Sequence, residues 1–167
     1  MNNLNYVKKN EISNQITKYY FELIDRRIKR EPTAYITNKQ SFWNNEFKVT
    51  KDTLIPRPET ELILENVLSY FPDKKIDLNI ADLGTGSGCI IISLLQEYIN
   101  ASGIGIDISK EAIKIANENK KILKNHERLK LLEEDYAEYN LNGFDIIVSN
   151  PPYISQNSLD IQKDVYD

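Results

Sequence analysis

Two stretches of the chain carry residues whose types and spacing can do chemistry. The first is Ala81-Asp82-Leu83-Gly84-Thr85-Gly86-Ser87-Gly88, a glycine-rich run directly after an apolar segment. Set at a helix N-terminus, such a turn offers free backbone N–H groups, and its glycines let a ligand approach the backbone closely. Gly84, Thr85, Gly86, Ser87 and Gly88 are therefore candidate binding residues. A dinucleotide fingerprint needs Gly-x-Gly-x-x-Gly or Ala; here position 89 is Cys, and the spacing is Gly-x-Gly-x-Gly after an acid. The second stretch is Ile147-Val148-Ser149-Asn150-Pro151-Pro152-Tyr153. An Asn before two prolines is held extended and rigid. The Asn150 side-chain oxygen and the Pro151 carbonyl can then converge on one planar NH2 group, with Tyr153 stacking on its π-system. That suits a nitrogen whose lone pair is delocalised, as in an amide or an exocyclic base amine.

Two further candidates follow. Asp107 ends the run Gly103-Ile104-Gly105-Ile106-Asp107, 23 residues after Gly84. In doubly wound folds an acid at this place accepts hydrogen bonds from both ribose hydroxyls, and an ionised carboxylate is acceptor-only. Ser109 is the better cap for the following helix, which leaves Asp107 to a ligand. The third run ends Glu133-Glu134-Asp135-Tyr136. An acid there can meet an adenine amino group, and Tyr136 can lie against the ring.

These residues need elements to hold them. From residue 76 onward the pattern is strand, loop, helix, repeated. Apolar strand runs fall at Leu78–Leu83, Ile104–Ile108, Leu129–Leu132 and Phe144–Val148. Helical stretches lie at Cys89–Ile99 and Lys110–Leu123, with a weaker one at Tyr136–Leu141. Short apolar strands joined by helical crossovers predict an α/β fold: a Rossmann-like, doubly wound parallel sheet. Upstream, Ile16, Tyr19, Tyr20, Leu23, Ile24 and Ile28 predict an amphipathic helix over 14–30 that stops at Pro32. Tyr35-Ile36-Thr37, Ser41-Phe42-Trp43 and Phe47-Lys48-Val49 read as short strands with turns at Asn38-Lys39 and Asn44-Asn45, a small β-hairpin. Pro56 and Pro58 then lead into a helix running to about Phe71.

Composition bounds the function. The 167 residues carry 21 Lys+Arg against 25 Asp+Glu, a net charge of −4. Residues 1–30 alone hold seven basic and three acidic residues, so the remaining body is strongly acidic. An acidic body argues against a duplex-DNA saddle, which needs a basic face. The single cysteine, Cys89, excludes an intramolecular disulfide and a cysteine zinc site, and the single His126 excludes a multi-histidine metal site. No apolar run approaches the roughly 20 residues of a membrane span, and the Asn-rich start lacks a signal-peptide core. A reduced, cytoplasmic protein is expected.

The Gly-x-Gly-x-Gly loop after an acid resembles motif I of S-adenosylmethionine (SAM)-dependent methyltransferases, and with Asn-Pro-Pro-Tyr it resembles the amino-methyltransferases. Upstream, Glu31-Pro32-Thr33-Ala34-Tyr35-Ile36, Phe42-Trp43, Phe47-Lys48-Val49 and Thr53-Leu54-Ile55-Pro56-Arg57-Pro58-Glu59-Thr60-Glu61 narrow this. Over residues 17–160 the chain resembles the HemK-type peptide chain release factor N5-glutamine methyltransferases. The resemblance implies SAM as donor and, as substrate, the glutamine in the Gly-Gly-Gln loop of release factors. It implies no membrane and no direct nucleic-acid partner. It also implies that Gly84 to Gly88, Asp107, Tyr136 and Asn150 contact SAM, while Asn150, Pro151, Pro152 and Tyr153 hold the glutamine. The family carries a longer N-terminal helical domain and three more strands after the motif, whereas 14 residues follow Tyr153 here. The expectation is a chain truncated at both ends: 1–31 a remnant of the helical domain, 32–57 a β-hairpin linker, 58–167 a partial methyltransferase domain. Other readings are a base-amine methyltransferase on DNA or rRNA, a ribosomal-protein glutamine methyltransferase, and an inactive SAM-binding fragment. The acidic body and Arg57-Pro58-Glu59-Thr60 weigh against the first, and Pro58-Glu59-Thr60 against the second.

Overall fold

The computed structural model describes residues 14–124 and 126–151. Four strands, β3 (Asn79–Leu83), β4 (Ser102–Asp107), β5 (Leu129–Glu133) and β6 (Ile146–Ser149), form one parallel sheet in the order β5-β4-β3-β6, after a hairpin of β1 (Lys39–Phe42) and β2 (Asn45–Lys48). The early elements are α1 (Asn14–Ile28), α2 (Thr33–Thr37), a 3-10 turn (Pro58–Thr60) and α3 (Glu61–Tyr70). Within the sheet unit, α4 (Cys89–Glu97) links β3 to β4, and α5 (Lys110–Asn119) links β4 to β5. This is the doubly wound order, with the chain reversing direction across the sheet between β3 and β6. The inner strands β3 and β4 are nearly all apolar because both their faces are covered, whereas Ile147 on the edge strand β6 is exposed. On one face Ile80 packs with Leu64, Ile91, Leu94 and Leu95; on the other Ala81, Leu83, Ile104 and Ile106 pack with Leu132, Tyr139, Leu141 and Phe144.

Arg128 secures the end of α4. Its guanidinium donates to the carbonyl of Leu95 (2.7 Å), in the last turn of the helix where carbonyls lack intrahelical donors, and to those of Tyr98 (3.0 Å) and Ala101 (2.6 Å) in the turn that follows. The hairpin joins the same core: Phe42 and Phe47 are buried and pack edge to face, ring centroids 6.2 Å apart. Its tip is Trp43, at φ 51° in the left-handed region. The Trp43 backbone N–H donates to Glu61 Oε1 (2.7 Å) and its indole Nε1 to Glu97 Oε1 (2.8 Å), which hold this conformation.

Three expectations are corrected. Tyr35-Ile36-Thr37 is helical, in α2, not a strand. Pro32 accepts the Tyr35 and Ile36 N–H groups, Ala34 and Ile36 are buried, and left-handed Asn38 closes the helix; β-branched composition alone misreads so short a segment. The hairpin turn is Trp43-Asn44, one residue earlier than read, because Phe42 pairs with Asn45. Residues 136–141 form turns rather than a helix, and Tyr139 and Leu141 cover the sheet directly. The predicted helix over 14–30 forms as α1, yet Ile16, Tyr19, Tyr20, Phe21 and Ile28 are exposed on it.

Because Phe47 is completely buried against the main core, Phe47→Ala is expected to cost about 3–5 kcal/mol, the range for emptying an aromatic core site. Urea-unfolding midpoints of parent and variant measure this; a loss below about 1 kcal/mol would show the hairpin to be a loosely attached appendage.

Candidate active site

Strand register assembles the candidate residues. Leu83 pairs with Ile106 on one side and Ser149 on the other, and Asp107 pairs with Glu133. The next step along each strand brings Glu133, Asp107, Gly84 and Asn150 into one row at the carboxyl edge of the sheet. Three interstrand spacings make that row about 14 Å long. Such an edge, at the point where strand order reverses, is where ligands bind in open α/β sheets.

At the centre of the row the loop after β3 is fastened from beneath. The Gly84 and Thr85 N–H groups both donate to the Ile106 carbonyl (2.9 Å each). Gly84 and Gly86 take positive φ, 71° and 55°, and a side chain on Gly84 would meet no atom within 4 Å. These two glycines thus border open space on the ligand side. Gly88 serves packing instead: a Cβ there would sit 3.1 Å from Ile92 Cδ1 and 3.4 Å from Ala116 Cβ, where α4 crosses α5.

Asp107 binds this loop to β4. Its Oδ2 accepts the Gly86 N–H (2.8 Å) and its Oδ1 the Ser109 N–H (2.9 Å). Ser109 caps α5 as read, its hydroxyl accepting the Ala112 N–H at 3.2 Å. Each Asp107 oxygen accepts one backbone N–H, and a carboxylate has about four acceptor sites, so capacity for ligand hydroxyls remains. Tyr136 is 40% exposed just beyond β5, and Asp135 Oδ1 accepts the Ala137 N–H at 2.9 Å. Asn150 is half-buried; its Nδ2 donates to Thr60 Oγ1 at 3.1 Å. Pro151 is half-buried beside it, while Pro152 and Tyr153 lie outside the described residues.

Three residues at the site were not singled out as functional from sequence. Asp82 lies completely buried on β3, its Oδ2 accepting the Thr85 hydroxyl at 2.6 Å. Its Oδ1 has no hydrogen-bond partner among the described residues. Asn119, at the end of α5, joins three elements. Its Nδ2 donates to the carbonyls of Lys48 (2.9 Å) and Ser87 (2.8 Å), and its Oδ1 accepts the Lys48 N–H (2.8 Å). Thr60 is the third. An acid inside an apolar strand was a visible signal for Asp82; Asn119 and Thr60 act across 71 and 90 residues and gave none.

The residues fit a nucleoside bearing an amino acid. The glycine loop leaves open space, Asp107 supplies acceptors beside it, and Asp82 holds a buried anionic oxygen below it.

Burial pushes the Asp82 carboxyl up to about 6; the Thr85 hydroxyl and the Ile91 N–H work against this, and the charge of Asp107 adds to it. Its folded value thus lies above the unfolded one of about 3.9, so its protonation stabilises the fold below about pH 4 and that stabilisation is lost as pH rises through about 6. Asp82→Asn is expected to gain on the parent by roughly 1–3 kcal/mol over that window and no further above it. Urea midpoints at several pH values would show the gap; a constant gap from pH 4 to 7 would mean Asp82 ionises freely.

Comparison with known proteins agrees with this architecture. The chain is 41% identical over 140 residues to the release factor glutamine methyltransferase of Caulobacter vibrioides, covering 83% of this chain and 48% of that protein. It is 41% identical over 167 residues to the protein of the same name in Leptospira interrogans, covering 97% of this chain and 58% of that one. The chain thus spans about half the length of the curated relatives it matches. Among solved structures, a candidate RNA methyltransferase from Pyrococcus horikoshii superposes with a TM-score of 0.53 at 25% identity, covering 71% of this chain and 60% of its own. The family model "Methyltransferase small domain" matches residues 59–165, more than half of the chain, and includes every strand of the parallel sheet and every candidate residue on its edge, so the chain belongs to the methyltransferase small domain family.

Proposed function

We propose that this chain is the methyltransferase part of an enzyme that transfers a methyl group from SAM to a protein glutamine. The acceptor is the side-chain amide nitrogen of the glutamine in the Gly-Gly-Gln motif of peptide chain release factors. The single row formed by the glycine loop, Asp107 and Asn150 carries this reading, together with relatives named release factor glutamine methyltransferase. Residues 58–167 form the partial methyltransferase domain in this organisation, 32–57 the hairpin linker and 1–31 the remnant of a helical domain. No helix among the described residues is long and apolar enough to cross a membrane. The proposed place of action is the cytoplasm, by virtue of the release-factor substrate.

In this reading Gly84 to Gly88 hold the amino-acid end of SAM, Asp107 the ribose and Tyr136 the base. Bound SAM supplies an electrophilic methyl group on a positive sulfonium. Asn150 Oδ1 and the Pro151 carbonyl accept the two amide protons of the glutamine, with Pro152 and Tyr153 completing the pocket. A nitrogen whose protons are both held has one direction left for its electron density, so fixed acceptors orient the nucleophile. Two ordinary bases are poorly placed. His126 stands at the start of β5, the opposite end of the sheet. Burial, with the charge of Asp82, pushes the Cys89 thiol up to about 12. Positioning therefore carries the reaction more than prior deprotonation does, and one of the two held amide protons is lost to solvent as the nitrogen gains the methyl group.

The test is labelled methyl transfer from SAM to release factor, a release factor lacking the loop glutamine, ribosomal protein, DNA and rRNA. Label confined to the first supports the proposal. Label in rRNA would favour the base-amine reading; the Pyrococcus horikoshii protein is itself described as a candidate RNA methyltransferase. Asn150→Ala is expected to lower turnover at least about 100-fold and, since Asn150 also contacts SAM in this reading, to weaken SAM binding by a much smaller factor; Asn150→Asp, which keeps acceptors, retains part of the activity. Asp107→Ala is expected to weaken SAM binding about 10- to 150-fold, read by calorimetry on the folded variant.

A further inference from the structure

We propose that Thr60 is a positioning residue for the reaction: its hydroxyl fixes the side-chain amide of Asn150 in the plane that grips the substrate. This rests on the role given to Asn150 above. Thr60 occupies the N-cap place of α3, where a threonine hydroxyl ordinarily accepts a first-turn N–H. Here it does not. The Thr60 backbone is helical, φ −68° and ψ −22°, and its side chain makes no cap hydrogen bond. The hydroxyl is buried, with the residue 7% exposed, and a buried hydroxyl needs a partner. It accepts from Asn150 Nδ2 at 3.1 Å, 90 residues away.

The support beneath Thr60 is rigid. Its N–H donates to the Arg57 carbonyl at 3.0 Å, and Pro58 starts the turn. The neighbouring Glu61 accepts the Trp43 N–H, and Leu64, one turn on, is completely buried. Asn150 stands by contrast just past the end of β6, and a terminal amide torsion has a broad, shallow preference. A hydrogen bond from a fixed turn removes that freedom. With Nδ2 directed at Thr60, Oδ1 occupies the opposite edge of the amide, where a substrate N–H can reach it. A hydroxyl can also donate, so Thr60 holds a carboxylate equally well.

Thr60→Val keeps the shape and removes the hydroxyl. Turnover on release factor is expected to fall about 10- to 100-fold with SAM affinity within about threefold of the parent. Thr60→Ser should restore turnover to within about threefold, and Thr60→Val added to Asn150→Ala should lower it no further. Should the valine variant not fold, Thr60→Ala against Thr60→Ser makes the same comparison. A readout independent of turnover is proton exchange at the Asn150 carboxamide, expected to be at least about tenfold faster without the hydroxyl. Parental turnover and unchanged exchange in Thr60→Val, with Asn150→Ala inactive, would overturn the role of Thr60 alone. Parental turnover in Asn150→Ala would overturn the clamp itself and this role with it.

Discussion

The register of β3 against its two neighbours is the constraint on which everything else depends. Leu83 must face Ile106 and Ser149 for Gly84, Asp107 and Asn150 to share one edge. A slip of one residue would turn Ile80, now in the core, to the other face, and bring the buried Asp82 with it. Burial on both faces forbids this, since each face has its own apolar cluster. The packing that stabilises the sheet is thus the same packing that aligns the candidate site. Two carbonyl and carboxylate contacts then transmit the register to the loop: Ile106 O beneath Gly84 and Thr85, and Asp107 Oδ2 beneath Gly86.

Asp82 shows a conflict between stability and function within that edge. A fully buried carboxylate costs more to charge than the Thr85 hydroxyl and the Ile91 N–H return, which is why its pKa rises. Gly105 is part of the arrangement. A Cβ there would lie 2.8 Å from Thr85 Oγ1 and 2.9 Å from Leu131 Cδ2, so only glycine leaves Thr85 room to reach Asp82. An apolar residue at 82 would make a simpler core. An acid kept there at such a cost is what strained or charged ligand sites look like.

Much of the sheet and its edge was legible in the chain. Short apolar runs mark all four parallel strands: burial on both faces leaves a signal in nearly every residue of β3 and β4, and the outer strands β5 and β6 stay mostly apolar although Lys130 and Ile147 are exposed. The glycine loop and Asp107 were legible because backbone geometry and acceptor chemistry restrict the residue types allowed. Short segments were not. Thr33–Thr37 becomes helical through Pro32 and Asn38 at its ends rather than through its interior residues, and 136–141 covers the sheet with two turn bonds, Glu138 N–H to Asp135 O and Tyr139 N–H to Tyr136 O, in place of a helix. Arg128, Asn119 and Thr60 were invisible for another reason: each satisfies groups far away in sequence, and no local pattern records such a pairing.

Those long-range residues change how the segment before the sheet is understood. Asn119 binds the β2 backbone at Lys48 and the loop carbonyl of Ser87 with the same side chain. Thr60 binds Asn150 at the other end of the row. Between them, residues 45–64 reach the loop that would face SAM through Asn119, and bind the amide that would face glutamine directly through Thr60. Their own anchors, Phe47 and Leu64, are completely buried in the main core. A glycine loop and a strand-end Asn exist on many sheets, but each alone has freedom to move relative to the other. Bracing both from one buried segment restricts that relative motion, and for a reaction governed by alignment the distance between donor and acceptor is the quantity that matters.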